Sequence, residues 1–229
     1  MSGPDDLARA AAEWMVHCLG EGSGPVAVAL SGGSTPKRLY ELLVTETFIR
    51  RVPWSRVHWF WGDERFVPRD DERSNYRMTM RAMLDHAPVP DGHIHPVPTE
   101  AISPEESATA YEAELRRFHG SDRLDAPLFQ VVLLGLGTNG HTASLFPGTP
   151  ALDERTAWAV AVTPEGEPTR ITLTYPALES CRHAAFLVAG AEKRDVLARV
   201  RAGDASLPAA RYRPRGELRW FADAEADHG

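Results

Sequence analysis

The segment Gly135-Leu-Gly137-Thr-Asn139-Gly140-His141-Thr142-Ala-Ser144 sets one histidine among glycines and hydroxyls. An imidazole titrates near working pH and can both take and return a proton. Thr142 and Ser144 could fix its tautomer or donate to a ligand, and the glycine N–H groups could meet a developing oxyanion. His141 is therefore the expected acid–base residue. Upstream, Ser31-Gly32-Gly33-Ser34-Thr35-Pro36 combines two glycines, three hydroxyls and a helix start. Glycine lets backbone approach a ligand closely, and the first turn of a helix offers unpaired N–H groups and partial positive charge. Gly32, Gly33, Ser34 and Thr35 thus form an expected phosphate cradle, where a plain turn would need one glycine. Gly62-Asp63-Glu64-Arg65 places acids that could bind sugar hydroxyls, orient a histidine or pair with Arg65; a structural ion-pair cluster accounts for them equally well. Lys193 stands where a helix should begin, a position that disfavours cations, so a compensating anion is expected. That anion is a phosphate or a neighbour such as Glu192 or Asp195. Arg170 is a second cation for the same phosphate or an ordinary surface residue.

Other chemistries fit less well. Gly135-x-Gly137-x-x-Gly140 has dinucleotide-binding spacing, but that motif needs a long helix after its third glycine, and Pro147 stands seven residues on. No Gly-Lys-Ser/Thr follows the first glycine loop, so it is no nucleoside-triphosphate loop. His93-x-His95 with Glu100 lacks a third ligand at zinc spacing and reads as part of an ordinary Pro-rich loop. No metal site and no cofactor is expected. His17, His58, His86, His119, His183 and His228 show no pattern. Net charge is −7 with no basic cluster beyond RYRPR at Arg211 to Arg215, which argues against nucleic acid as partner. No apolar stretch approaches the ~20 residues of a membrane span, and the acidic N-terminus is unlike a secretory signal. Cys18 and Cys181 read as buried or idle thiols in a reducing compartment, so the expected location is the cytoplasm. Of 25 basic residues only Lys37 and Lys193 are lysines, a bias that suggests a specific use for a compact ammonium at both.

These residues follow a repeating frame. Apolar runs at Pro25 to Leu30, Val57 to Trp61, Leu128 to Leu134 and Ala184 to Val188 read as buried strands, with weaker ones at Ala157 to Val162, Ile171 to Thr174 and Leu218 to Phe221. Helical spacing runs over Asp5 to Leu19, from Thr35-Pro36, over Asn75 to Leu84, over Pro104 to Phe118 with Ser103 as N-cap, and over Ala191 to Val200. The terminal ADAEADHG is expected to fray, and Arg69 to Arg73 to be a solvated loop. The alternation predicts an α/β fold with a mainly parallel sheet and helices on both faces, built as one domain over residues 1–229. In such sheets ligands bind beyond the carboxyl ends of strands, which is where each candidate stands.

SGGSTPKRLYELL, FWGDERFVP followed by SNY, LLGLGTNGHTASLFPG, and RITLTYPAL leading to LVAGAEK resemble the 6-phosphogluconolactonase family, in that family's order from about Ala29 to Lys193. The resemblance implies a Rossmann-like three-layer sandwich, in a superfamily shared with glucosamine-6-phosphate deaminase and ribose-5-phosphate isomerase. It implies cofactor-free hydrolysis of 6-phospho-D-glucono-1,5-lactone to 6-phosphogluconate in the pentose phosphate pathway. His141 would be the base, and Gly32, Gly33, Ser34, Thr35, Arg170 and Lys193 would hold the phosphate; with the lactone so placed, backbone N–H groups near Gly137 and Gly140, or Arg65, are the expected donors to the tetrahedral oxyanion, and Asp63 is a further candidate catalytic residue. The sequence departs once: Asn139 stands where the family usually has Asp, so a charge that would stabilise imidazolium is missing unless Asp63 or Glu64 supplies it. The expected partner is a small sugar phosphate, and the expected state a monomer or weak homodimer. Two rivals stay open. A sugar-phosphate isomerase or deaminase would carry a Glu after the Gly-His, which HTASLFPG lacks, and a non-catalytic sensor would need the cradle but not His141.

Overall fold

The run expected to be the best-buried strand is so in the computed structural model, which describes residues 1–101 and 103–227. In chain order the strands are β1 (Val26–Leu30), β2 (Val57–Trp61), β3 (Asp63–Arg65), β4 (Phe129–Gly135), β5 (Ala159–Val162), β6 (Arg170–Leu173), β7 (Cys181–Val188) and β8 (Glu217–Ala222). The α-helices are α1 (Pro4–Gly20), α2 (Ser34–Leu43), α3 (Asn75–Ala82), α4 (Pro104–His119), α5 (Tyr175–Glu179), α6 (Arg194–Arg201) and α7 (Pro208–Arg211). Five strands form a sheet in the order β2-β1-β4-β7-β8, every neighbouring pair parallel. Helices cover both faces, as alternation along β8 shows. Phe221 meets Trp14 of α1, while Trp220 points the other way, stacks on Phe186 at 4.2 Å and lies beneath Arg201 of α6.

The chain leaves β1 toward β2 on one side and reaches β4 on the other. The crevice between the loops after β1 and β4 is therefore the point where strand order reverses, the usual ligand site of an open α/β sheet. Tyr40 pins the first loop: its fully buried hydroxyl accepts from Ser31 N at 2.9 Å and donates to Ser31 O at 2.8 Å. Tyr111 of α4 does the same to Trp61 at the end of β2, with both bonds at 2.8 Å. Two loop ends are thus fixed by buried side chains from other elements.

A second sheet was not expected. β3 pairs antiparallel with β6, and β6 with β5. Gly62 joins the two sheets, donating to Leu30 O and accepting from Leu173 N, both at 2.8 Å. The Asp63–Arg65 segment, which carries no strand signal in the sequence, is thus a short strand. Its alternation sends Asp63 and Arg65 one way and Glu64 the other.

Most helix boundaries follow their sequence signals. Ser103 caps α4, accepting from Glu106 N at 3.1 Å, and Gly120 closes it in the left-handed region at φ 73°. The expected helix from Ala191 is a 3₁₀ turn over Ala191–Lys193 followed by α6. The expected frayed tail is corrected up to Asp227: Asp223 and Ala226 are buried, and Asp223 accepts from Gly190 N and Ala226 N. His228 and Gly229 lie outside the described residues. In the Arg-rich run, Tyr212 is buried with its hydroxyl donating to Leu178 O at 2.9 Å, so only its flanks are solvated.

Candidate active site

Ser31, Gly32 and Gly33 after β1, Asp63 and Arg65 of β3, Asn75 at the head of α3, Gly137, His141 and Ala143 after β4, Arg170 of β6 and Lys193 before α6 line one cleft of ≈ 230 Å³. Seven of the nine predicted site residues share it: His141, Asp63, Arg65, Gly32, Gly33, Arg170 and Lys193. Ser34 and Thr35 do not. They line a neighbouring depression with Arg38, Gly190 and Glu225, because the turn of α2 carries their side chains away from the crevice. No side chain caps α2, so its first-turn N–H groups remain available beside Gly32 and Gly33. Gly33, at φ 105°, has a backbone few other residues adopt.

The orientation of His141 comes from Asn139. Asn139 Oδ1 accepts from His141 N at 3.2 Å and stands 2.6 Å from His141 Nδ1. An oxygen already accepting from a backbone N–H must also accept from the ring, so Nδ1 carries the proton and the Nε2 lone pair is free. Phe146 stacks on the imidazole at 4.2 Å. The residue that departs from the family pattern therefore keeps the positioning role without the charge. Thr142 and Ser144, expected to fix the tautomer, do not: Ser144 Oγ donates to Asp63 Oδ2 at 2.5 Å, and Thr142 Oγ1 is buried with no partner among the described residues. Burial pushes the His141 pKa down to about 4; nearby Asp63 opposes this, while Arg170 and Lys193 add to it. His141 is accordingly neutral at pH 7, the state a general base requires.

The acids of β3 have separate duties. Glu64 is buried and caps α3, accepting from Asn75 N at 2.7 Å, Tyr76 N at 2.6 Å and Ser74 Oγ at 3.1 Å. Burial pushes its carboxyl up, and these amides hold it down. Its charge is committed to the helix and is not lent to His141. Asp63 makes no hydrogen bond to His141 either. It anchors Ser144 and lies 3.8 Å from Arg170. Arg65 pairs with neither acid through its head group: Nη1 donates to Asn75 Oδ1 at 2.9 Å and Arg73 O at 2.6 Å.

Cations dominate the rest of the cleft. Arg170 is not a surface residue. It is buried, bonded to Glu167 at 2.6 Å, and its guanidinium lies 5.2 Å from the Phe146 ring centre. The Nε atoms of Arg65 and Arg170 are buried donors without partners among the described residues. A buried donor left without a partner costs about 1–3 kcal/mol. Lys193 forms no ion pair with Glu192, Asp195 or any other described residue, so the anion that its place before a helix calls for is not supplied by the protein. Lys37, by contrast, makes an exposed 3.6 Å pair with Glu41, an ordinary surface role that needs no special use of its ammonium. Sequence reasoning missed Asn75, although its SNY motif was visible; Asn75 Nδ2 donates to Asp63 O at 2.9 Å and packs where a Cβ on Gly32 would fall.

The sequence profile of the glucosamine-6-phosphate isomerases/6-phosphogluconolactonase family matches residues 2–220. A 6-phosphogluconolactonase from Synechocystis is 44% identical over 206 residues, covering 89% of this chain and 84% of its own. The chain belongs to the glucosamine-6-phosphate isomerase/6-phosphogluconolactonase family. A solved 6-phosphogluconolactonase from Trypanosoma cruzi, 30% identical, superposes with TM-score 0.86 over 99% of this chain and 93% of its own. A monomeric glucosamine-6-phosphate deaminase, 19% identical, superposes with TM-score 0.83 over 99% and 96% and shares the fold. Both branches of this family thus use the same frame, and the contents of the cleft must separate them. Among the described residues no carboxylate hydrogen-bonds to His141, and no helix is long and apolar enough to cross a membrane.

Proposed function

We propose that this chain hydrolyses 6-phospho-D-glucono-1,5-lactone to 6-phosphogluconate, as a cofactor-free cytoplasmic enzyme of the pentose phosphate pathway built as one domain. The carrying observation is a neutral imidazole with a free Nε2 in the same cleft as an unpaired ammonium. The phosphate lies between Lys193, Arg170 and the Gly32–Gly33 amides. The lactone carbonyl then reaches His141, whose Nε2 takes a proton from water as the water oxygen bonds to C1. Of the two expected oxyanion donors, the loop amides fall away and Arg65 stays. The Gly137 and Gly140 amides are already used within the loop, bonded to His141 O and Gly137 O at 2.9 Å. Arg65, whose side chain lines the cleft, is left to stabilise the tetrahedral oxyanion. The imidazolium returns its proton to the departing ring oxygen, which completes ring opening.

Arg170 already has two acids beside it, and removing one partner of a buried pair costs about 3–5 kcal/mol. Lys193 is the cleaner probe of phosphate binding. Lys193→Ala is expected to raise KM about tenfold to a hundredfold, the value of a hydrogen bond to a charged group, with kcat changed by less than about threefold. Steady-state rates on the phosphorylated lactone, beside the unphosphorylated one, check this. A KM unchanged by the substitution would remove Lys193 from the phosphate site. Binding of 6-phosphogluconate without lactone turnover would indicate a sensor, and ammonia release from glucosamine 6-phosphate a deaminase.

Asn139 makes a second, pH-resolved test. A carboxylate 2.6 Å from Nδ1 would favour the imidazolium, so Asn139→Asp should raise the His141 pKa from about 4 by about one unit or more. The base form exists above its pKa, so the acid limb of kcat/KM moves to higher pH in the variant. An acid limb left in place would show that His141 is not the titrating base.

A further inference from the structure

At the opposite end of the sheet from the cleft, three residues far apart in sequence converge. Cys18 at the end of α1, Glu21 just beyond it and His183 near the start of β7 offer a sulfur, a carboxylate oxygen and a ring nitrogen that all lie within 4.8 Å of one another. We propose that Cys18, Glu21 and His183 bind a zinc-class divalent cation. Thiolate, imidazole and carboxylate together are a donor set for a borderline-soft ion, and three protein ligands leave the fourth tetrahedral position for water.

The surroundings are those of a ligand set and go beyond a surface ion pair. His183 Nε2 stands 2.9 Å from Glu21 Oε2, on the side of the other donors. His183 Nδ1, buried and without a hydrogen bond, faces Glu217 Oε2 at 3.6 Å. That is the carboxylate–histidine order which, around a bound metal, fixes the tautomer and raises ligand basicity. Gln130 Nε2 donates to both Glu21 Oε2 and Cys18 O at 2.9 Å, so one amide fixes the Glu21 carboxylate and the Cys18 backbone. Trp14 closes the site by an edge contact with the His183 ring at 6.3 Å. A Glu21–His183 pair alone would need no sulfur beside it.

Ligand atoms around a tetrahedral ion of this class stand about 3.5 Å apart, so a small rotation of the half-exposed Glu21 side chain completes the set. Binding breaks the Cys18 S–H bond as the sulfur–metal bond forms and releases that proton to solvent, while the proton that His183 Nε2 shares with Glu21 moves to Nδ1, towards Glu217, and frees the Nε2 lone pair for the metal. The site ties the end of α1 to the starts of β7 and β8, away from the catalytic cleft.

The test uses the full chain without an affinity tag. Titration with cobalt(II) should saturate at one equivalent with a near-ultraviolet thiolate-to-metal charge-transfer band, and one equivalent of zinc should abolish that band. Calorimetry of zinc binding in two buffers of different ionisation enthalpy should register the released proton. Cys18→Ser should lose the band while keeping lactone hydrolysis. His183→Gln should weaken cobalt binding at least tenfold, and Glu217→Gln about tenfold, as for other outer-shell partners. His183→Gln also serves if Cys18→Ser fails to fold. No band in the wild type, or a band that survives Cys18→Ser and so belongs to Cys181, would overturn the assignment.

Discussion

His141→Ala should lower kcat by about 10²–10⁴, the usual worth of positioned acid–base help, and leave the affinity for 6-phosphogluconate within about threefold. The two halves of this expectation come from different parts of the cleft. In the proposed binding mode the phosphate meets Lys193, Arg170 and backbone amides, none of which hydrogen-bonds to the imidazole. Proton transfer depends on Nε2 alone. Removing the ring also leaves Asn139 Oδ1 its bond from the backbone N–H of residue 141, so the loop keeps its shape. The pH profile sharpens the test. With His141 depressed to about 4 by burial, the wild-type kcat/KM should hold through neutral pH and fall only in acid. His141→Ala should abolish that acid limb along with the rate. Loss of product binding with kcat preserved would instead move His141 to the binding machinery.

The weak basicity of His141 also bears on the missing Asp. Arg170 and Lys193 both depress the imidazole. A phosphate dianion between them would cancel much of that field, so the substrate itself raises the basicity of its catalyst. Asn139 then need only fix the tautomer. The charge absent at Asn139 would then arrive with the substrate, and the base would gain strength when there is something to hydrolyse.

Where the sequence was legible, the reasons are local. β1, β2, β4 and β7 are short apolar runs ending in glycine or a turn, and Ser103 and Gly120 mark the ends of α4 by chemistry that acts within one helical turn. The cleft could be located because ligand sites in open parallel sheets lie beyond strand ends. What stayed hidden depends on partners distant in the chain. Asp63–Arg65 carries three charged residues and no apolar signature; it is a strand only because β6 pairs with it. Arg170 opens a strand as a surface residue might, and is buried because Asp63 and Glu167 meet it. The Ser34 and Thr35 hydroxyls read as ligands from composition, but helix phase decides which side they face. His183 showed no pattern because its nearest partner, Glu21, stands 162 residues away.

Gly137→Ala should match the activity loss of His141→Ala while the chain remains folded. A Cβ built on Gly137 would lie 2.1 Å from His141 Nδ1 and 2.2 Å from its Cε1, far inside van der Waals contact. Gly137 has no positive φ, so the alanine backbone itself is unstrained. What must yield is the ring, and it can only leave the Asn139 bond and the Phe146 stack. The same methyl therefore displaces the base and frees its tautomer. Global stability should change by about 1–2 kcal/mol at most, because the loop lies at the cleft rim and one stacking contact is lost. Circular dichroism and thermal melting measure the fold, and kcat measures the ring. A contrast variant separates this from damage to the loop. Gly140, at φ 80° and with a Cβ that would meet the Leu207 side chain at 2.7 Å, faces the protein interior, so Gly140→Ala should lose stability first and activity in step with it. Full activity in folded Gly137→Ala would mean that the imidazole does not work from the position seen here, and the water-activation scheme would have to be rebuilt around another group.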